Sequence, residues 1–108
     1  MRTAAIPLVL LLLTLVSVPL QADARADAKK QVEFGIAVAQ RGLWREAIYR
    51  WERAAQIDPT YAPAHNNLAI AYEHEGDLAK ARAAYERALE LEPEIGRASC
   101  RERVCLLV

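Results

Sequence analysis

The sequence predicts an all-α fold built from two successive helical hairpins. Apolar residues recur at i, i+3, i+4 and i+7 through residues 62–91, the spacing of helices that each bury one face. Gly76 and Asp77 interrupt that stretch, as a glycine that closes one helix and an N-cap that opens the next. The same pattern appears 34 residues earlier in the chain.

The second hairpin shows the pattern most clearly. The apolar positions predicted to face its interior are Leu68, Ala69 and Tyr72 on the first helix and Ala81, Tyr85, Ala88, Leu89 and Leu91 on the second. The alanines allow the two backbones to approach closely, and the tyrosines fill the space that remains.

The internal repeat is specific in its residues as well as its period. Phe34, Gly35 and Trp51 align with Leu68, Ala69 and Tyr85, and Ile36, Ala37, Gly42, Ala47, Glu52, Arg53, Ala54 and Pro59 recur unchanged as Ile70, Ala71, Gly76, Ala81, Glu86, Arg87, Ala88 and Pro93. This period and pattern resemble the tetratricopeptide repeat over residues 28–61 and 62–93. Gln31 and His65 replace a tryptophan that is frequent in the family. The resemblance implies an α-solenoid that binds other proteins.

The first hairpin should be capped less well than the second. Residues 25–30 are expected to form a short polar linker that becomes the start of the first helix, which continues to about Arg41. The next helix is expected near Leu43 and Trp44, where no good N-cap residue stands. The family pattern implies that Gly35 lies against the partner helix, and that Trp51 and Tyr85 are equivalent core residues.

Residues 1–24 are predicted to be a signal peptide, preceding the repeats as a helix of its own. Arg2 is followed by an apolar run from Ile6 to Leu20, which is shorter than the roughly 20 residues that span a bilayer, and residues 22–24 (Ala-Asp-Ala) fit a signal-peptidase site. The expected location is therefore periplasmic or secreted. The alternative is an uncleaved membrane anchor formed by residues 4–20.

Residues 94–108 are predicted not to be native protein. The run EIGRASCRERVC resembles the in-frame translation of a sequencing-library adapter, which would make the chain a truncated fragment and remove Cys100 and Cys105 from any disulfide or metal argument. The alternative is a short C-terminal helix with apolar Val104 and residues 106–108.

Charge and composition indicate neither a nucleic-acid partner nor an anionic membrane. The chain has 14 basic and 14 acidic residues. The charge is uneven, since residues 28–61 contain six basic and four acidic side chains and residues 62–93 contain three and six. The pattern is typical of a solvated helical surface, although the asymmetry could orient a partner or a neighbouring repeat.

The sequence suggests no catalytic residues, no metal and no cofactor. His65 and His74 are nine positions apart on one predicted helix, which places them on opposite faces. Between the signal peptide and the tail, Thr60 is the only serine, threonine or cysteine side chain. The chain is accordingly predicted not to be an enzyme.

The predicted binding surface follows from the resemblance. The first helix of each such hairpin lines the concave side of a solenoid, where peptides bind. The corresponding residues are Lys29, Val32, Ile36, Ala39 and Gln40 in the first repeat and Asn66, Ile70, Glu73 and His74 in the second. Some family members clamp a C-terminal carboxylate here, but Val32 and Ile36 occupy the first-repeat clamp positions, so that specificity does not transfer.

The predicted function is a non-catalytic scaffold of the cell envelope or secreted space that binds a peptide or protein in this groove. The alternative is that the repeats form the N-terminal region of a larger exported enzyme whose catalytic domain is missing. Self-association through the uncapped last helix is also expected to be possible.

Cleavage after Ala24 should leave Arg25 as the new N-terminus of the exported protein. Intact-mass analysis of protein recovered from the exporting cell measures this directly. Recovery of the uncleaved chain in the membrane fraction would instead support the anchor.

Overall fold

The computed structural model describes residues 20–95, which form four α-helices and, within that range, no β-strand. The helices are α1 (Leu20–Gln40), α2 (Trp44–Ile57), α3 (Ala62–Glu75) and α4 (Leu78–Leu91). The main packing pairs are α1 with α2, α3 with α4, and α2 with α3, and a smaller contact joins α1 to α3. The predicted all-α fold of two stacked hairpins is confirmed.

Two predicted segments lie largely outside the described residues. These are the signal peptide, of which only residues 20–24 are described, and the tail, of which only residues 94 and 95 are described. Among the helices of residues 20–95, none combines the length and apolar character needed to cross a membrane.

The first helix begins earlier than expected, and the predicted linker at residues 25–30 is wrong. These residues are helical within α1. Residues 22–30 (ADARADAKK) alternate alanine, the best helix former, with charged side chains. Lys30 lies 3.6 Å from Asp27 and Lys29 lies 3.9 Å from Glu33, which are the spacings of favourable pairs along one helix. Local propensity therefore extends α1 towards the N-terminus.

The turns of both hairpins have the predicted chemistry. Gly76 adopts a left-handed φ of +83°, and the Asp77 N–H donates back to the Tyr72 carbonyl at 2.8 Å. The Asp77 carboxylate then accepts the Lys80 N–H at 3.2 Å and caps α4. At the start of α2, Leu43 provides no side-chain cap, as expected. The first hairpin is thus the less well capped of the two.

Gly35 and Trp51 set the distance between α1 and α2. Trp51 is only 1% exposed, and its indole Nε1 donates to the Val32 carbonyl at 3.1 Å. A Cβ at position 35 would lie 2.7 Å from Trp51 Cδ1 and closer still to Nε1. The prediction that Gly35 lies where a side chain would intrude on the partner helix is confirmed.

The core extends from the first hairpin into the second. Small side chains dominate it, so the helices approach closely around one large residue, Trp51. The buried members of this core are Ala28, Val32, Val38, Ala39, Ala47, Trp51, Ala54, Ala64, Leu68 and Ala71. Because Ala64, Leu68 and Ala71 belong to α3, the core also joins the two hairpins.

Two pairs of equivalent positions differ in burial. Leu68 is 6% exposed but Phe34, its equivalent, is 49% exposed. Trp51 is buried as predicted, whereas Tyr85 is only half-buried, so the prediction of two equivalent core residues is wrong for Tyr85. The reason is their place in the stack. α3 packs beside α2, but no described helix lies outside α1 or outside α4.

We expect Gly35→Ala to destabilise the fold. Overpacking a tight contact typically costs about 1–3 kcal/mol, which the better helix propensity of alanine, about 1 kcal/mol, offsets only in part. The second hairpin has Ala69 and Tyr85 at the positions equivalent to Gly35 and Trp51. The double variant Gly35→Ala/Trp51→Tyr should therefore lose less unfolding free energy than the sum of the losses in the two single variants. Urea denaturation of the three variants measures this. Strict additivity would show that the two positions do not interact.

Candidate functional site

The predicted groove residues fall into two sets. Five side chains are buried or half-buried: Val32, Ala39, Asn66 and Ile70 are buried, and Ile36 is half-buried. Four are exposed: Lys29, Gln40, Glu73 and His74. The surface of α1 and α3 that solvent can reach is therefore more polar than the sequence pattern suggested.

The buried set serves the packing of the two hairpins. Val32 and Ala39 belong to the core, and Ile36 packs against its edge. Asn66 is 3% exposed, and no buried side-chain nitrogen or oxygen within residues 20–95 lacks a hydrogen-bond partner. Because these side chains project little into solvent, they stabilise the packing beneath the surface.

The two histidines have different local roles. His74 stacks on Trp44, with ring centroids 4.0 Å apart and planes inclined by 19°. This contact attaches the end of α3 to the start of α2. His65 Nε2 lies 2.9 Å from the Pro59 carbonyl oxygen, near the start of α3. Across residues 20–95, no three histidine, cysteine or carboxylate side chains are grouped so as to hold a metal ion.

Glu73 lies at the junction of α3 and α4. Its Oε2 accepts a hydrogen bond of 3.1 Å from the Tyr85 hydroxyl. Both residues line an open depression of about 370 Å³ on α4, together with Leu78 and Leu89. The carboxylate therefore also belongs to the C-terminal edge of the stack.

Tyr72 joins the two hairpins through a hydrogen bond that the sequence did not reveal. Its hydroxyl donates to Glu52 Oε1 at 2.9 Å. Burial, and then this bond to a carboxylate, raise the pKa of Tyr72 to about 12. The phenol therefore stays protonated, and remains a donor, throughout the physiological range.

A second long-range contact ties α1 to the turn between α2 and α3. Arg25 Nε donates to Asp58 Oδ2 at 2.7 Å, and Arg25 Nη2 lies 3.0 Å from the Thr60 hydroxyl oxygen. The same guanidinium lies 5.3 Å from the centre of the Tyr61 ring. Arg25 is also the residue that the predicted cleavage would leave at the N-terminus.

Asp58 organises this turn. Its Oδ1 accepts both the backbone N–H of Thr60 at 3.0 Å and the Thr60 hydroxyl at 2.6 Å. The Thr60 hydroxyl is the main cause that lowers the pKa of Asp58; burial opposes it, and Arg25 lowers the pKa further. The Asp-Pro-Thr sequence could have predicted the local turn. Arg25, 33 residues away, gave no local signal.

Stacked helical hairpins with a polar surface on their first helices define a helical-repeat protein. Two family descriptions match the chain: "Tetratricopeptide repeat" over residues 62–95 and "TPR repeat" over residues 35–76. Together they span residues 35–95, more than half of the sequence. The chain belongs to the tetratricopeptide repeat family.

Two curated relatives share this similarity. Tetratricopeptide repeat protein 36 of Homo sapiens is 36% identical over 78 residues, which are 71% of this chain and 41% of that protein. Uncharacterized protein ycf37 of Pyropia yezoensis is 49% identical over 41 residues, 38% of this chain and 23% of that protein. The matched part of the chain thus spans about two fifths of the length of the first of these relatives and about a quarter of the second. Repeats of this family generally act as protein–protein interaction scaffolds.

We expect acid to weaken the fold through Asp58. Because its pKa is lower in the folded state, its stabilising contribution is complete above the pKa of an unfolded aspartate and is lost as the pH falls through the folded value. Asp58→Asn should cost on the order of 1 kcal/mol or more at neutral pH, since the three hydrogen bonds that the carboxylate accepts are weakened or lost. Urea denaturation of both proteins at neutral pH measures the cost of the substitution, and the same measurement at several acidic pH values measures the loss of stability with pH.

The same variant supplies the check. The stability of Asp58→Asn should fall less steeply on acidification than that of the parent chain. Parallel curves for the two proteins would mean that other carboxylates control the acid response.

Proposed function

We propose that this chain is a non-catalytic scaffold that binds a peptide or protein segment along the surface formed by α1 and α3. We further propose that it does so outside the cytoplasm, in the cell envelope or secreted space. The observation that carries the binding proposal is the contact between α1 and α3, the first helices of successive hairpins. A segment lying across both helices could contact the two repeats at once.

The chemistry of this surface suits an extended ligand. Lys29, Gln40 and Glu73 offer a cation, an amide and a carboxylate at separate points, while Ile36 contributes a half-buried apolar patch. Spaced polar groups around a small apolar contact are typical of peptide recognition, in which a few anchors supply most of the affinity.

Three pKa shifts among the described residues have structural causes. Within residues 20–95, Asp58, Tyr61 and Tyr72 are among the groups whose pKa values are shifted. The contacts of Asp58 and Tyr72 hold a turn and a hairpin junction, and burial is the main cause of the raised pKa of Tyr61. These shifts therefore arise from packing and local hydrogen bonds.

The binding surface can be tested with peptides selected from a random display library. Lys29→Glu with Gln40→Glu changes two exposed groove side chains. We expect this pair of substitutions to lower the affinity for the selected peptides by at least about tenfold, equivalent to about 1.4 kcal/mol of binding free energy, in calorimetric titrations.

The matched control is Arg53→Glu with Gln56→Glu on α2. It replaces the same kinds of side chain, one basic and one glutamine, at exposed positions that already contact each other at 3.5 Å. Its affinity for the peptides should be unchanged. If the control pair abolished binding while the α1 pair did not, the ligand would bind the outer surface, and the groove proposal would fail.

A further inference from the structure

Exposed apolar side chains are present at both ends of the described stack. At the C-terminal end, Leu78 is 68% and Leu89 is 42% exposed, and they flank Ala81 and Tyr85 around the depression on α4. We name these four residues the α4 face. At the N-terminal end, Phe34 is 49% exposed, and Lys30 and Ala37 beside it on the helix are also exposed. We name these three residues the α1 face.

The 34-residue period shows what each face is equivalent to. The α1 face corresponds to Ala64, Leu68 and Ala71 of α3, which are all buried. The α4 face corresponds to Trp44, Ala47, Trp51 and Ala55 of α2, which belong to the same core or pack against it. Inside the chain, these α3 and α2 surfaces are packed together.

Residues 20–95 therefore contain one example of this interface, between α2 and α3, and separate residues equivalent to its two halves on α1 and α4. The half on α1 occupies the positions equivalent to those with which α3 packs onto α2, with Lys30 in place of Ala64 and Phe34 in place of Leu68. The half on α4 resembles the surface of α2 that receives α3. Since both are displayed on one chain, a second copy offers the complementary half to each.

We propose that copies of this chain associate head to tail, with the α4 face of one copy packing onto the α1 face of the next as α2 packs onto α3. Charge favours this arrangement. Residues 28–61 have an excess of two positive charges, and residues 62–93 have an excess of three negative charges. Arg50 lies 4.4 Å from the Phe34 ring beside the α1 face. The α4 face is bordered by Glu73, by Glu86 and by Arg82, which pairs with Glu86 at 3.5 Å, so the carboxylates that border it outnumber the cations by one.

The alternative pairing, α4 face on α4 face, is disfavoured by the same charges. It would bring two acidic hairpins together, and like charges across an interface oppose association. Head-to-tail contact is heterologous, so a growing assembly always has a free α1 face at one end and a free α4 face at the other. The proposal does not depend on the groove: peptide binding could fail and this association still hold.

Sedimentation velocity of the full chain at rising concentration provides the first test. The apparent mass should increase beyond that of a dimer without reaching a closed end point. Leu89→Lys, which blocks the α4 face, and Phe34→Lys, which blocks the α1 face, should each abolish this increase. Ala37→Arg blocks the α1 face at an exposed position and serves if Phe34→Lys does not fold. Leu43→Lys alters an exposed leucine outside both faces and should associate like the parent chain.

Mixing the variants distinguishes the two pairings. Leu89→Lys retains a working α1 face and Phe34→Lys retains a working α4 face, so an equimolar mixture should form a heterodimer of twice the monomer mass and stop there. If Phe34→Lys alone formed a dimer, the α4 faces would be pairing with each other and the proposal would be overturned.

Crosslinking between copies shows whether they associate through these two faces or through other parts of the chain. A photo-crosslinking amino acid at Leu78, in a mixture of isotopically light and heavy protein, should yield crosslinks between copies to peptides of α1. Between-copy crosslinks confined to α4, or a mass that stays monomeric at every concentration, would contradict the head-to-tail arrangement.

Discussion

The close approach of Gly35 to Trp51 is the contact on which the rest of the stack depends. Because residue 35 has no side chain, the indole can lie against the α1 backbone and donate to the Val32 carbonyl. That contact determines how near α2 lies to α1. Leu68 of α3 belongs to the same core as Trp51, so the second hairpin packs onto the first through that core.

Burial in this protein depends on neighbours more than on residue type. Phe34 is larger and more apolar than many core residues, yet it is half exposed, while the equivalent Leu68 is buried. Tyr85 and Trp51 differ in the same way. In a repeat protein each hairpin buries its faces against the adjacent hairpins, so equivalent residues differ in burial according to the place of their hairpin in the stack.

The candidate binding surface shows how packing changes a sequence pattern. Nine positions were predicted to face the groove, but Val32, Ala39, Asn66 and Ile70 are buried, the first two of them in the core around Trp51. The predicted groove side chains that are exposed to solvent are all polar: Lys29, Gln40, Glu73 and His74. Two of them also make contacts within the chain: His74 stacks on Trp44, and Glu73 accepts a hydrogen bond from Tyr85. Recognition through this surface would therefore rely on a few polar anchors rather than on an apolar floor.

Sequence alone was enough to predict the helical class, the 34-residue period, the turns at Gly42 and Gly76 and the cap at Asp77. These depend on spacing and on local backbone chemistry, which a linear chain displays directly. The folded structure was needed to reveal the pairing of Arg25 with Asp58, the stacking of Trp44 on His74 and the exposure of Phe34. Those contacts join residues about 30 positions apart or depend on which helix lies alongside, and no local pattern encodes either.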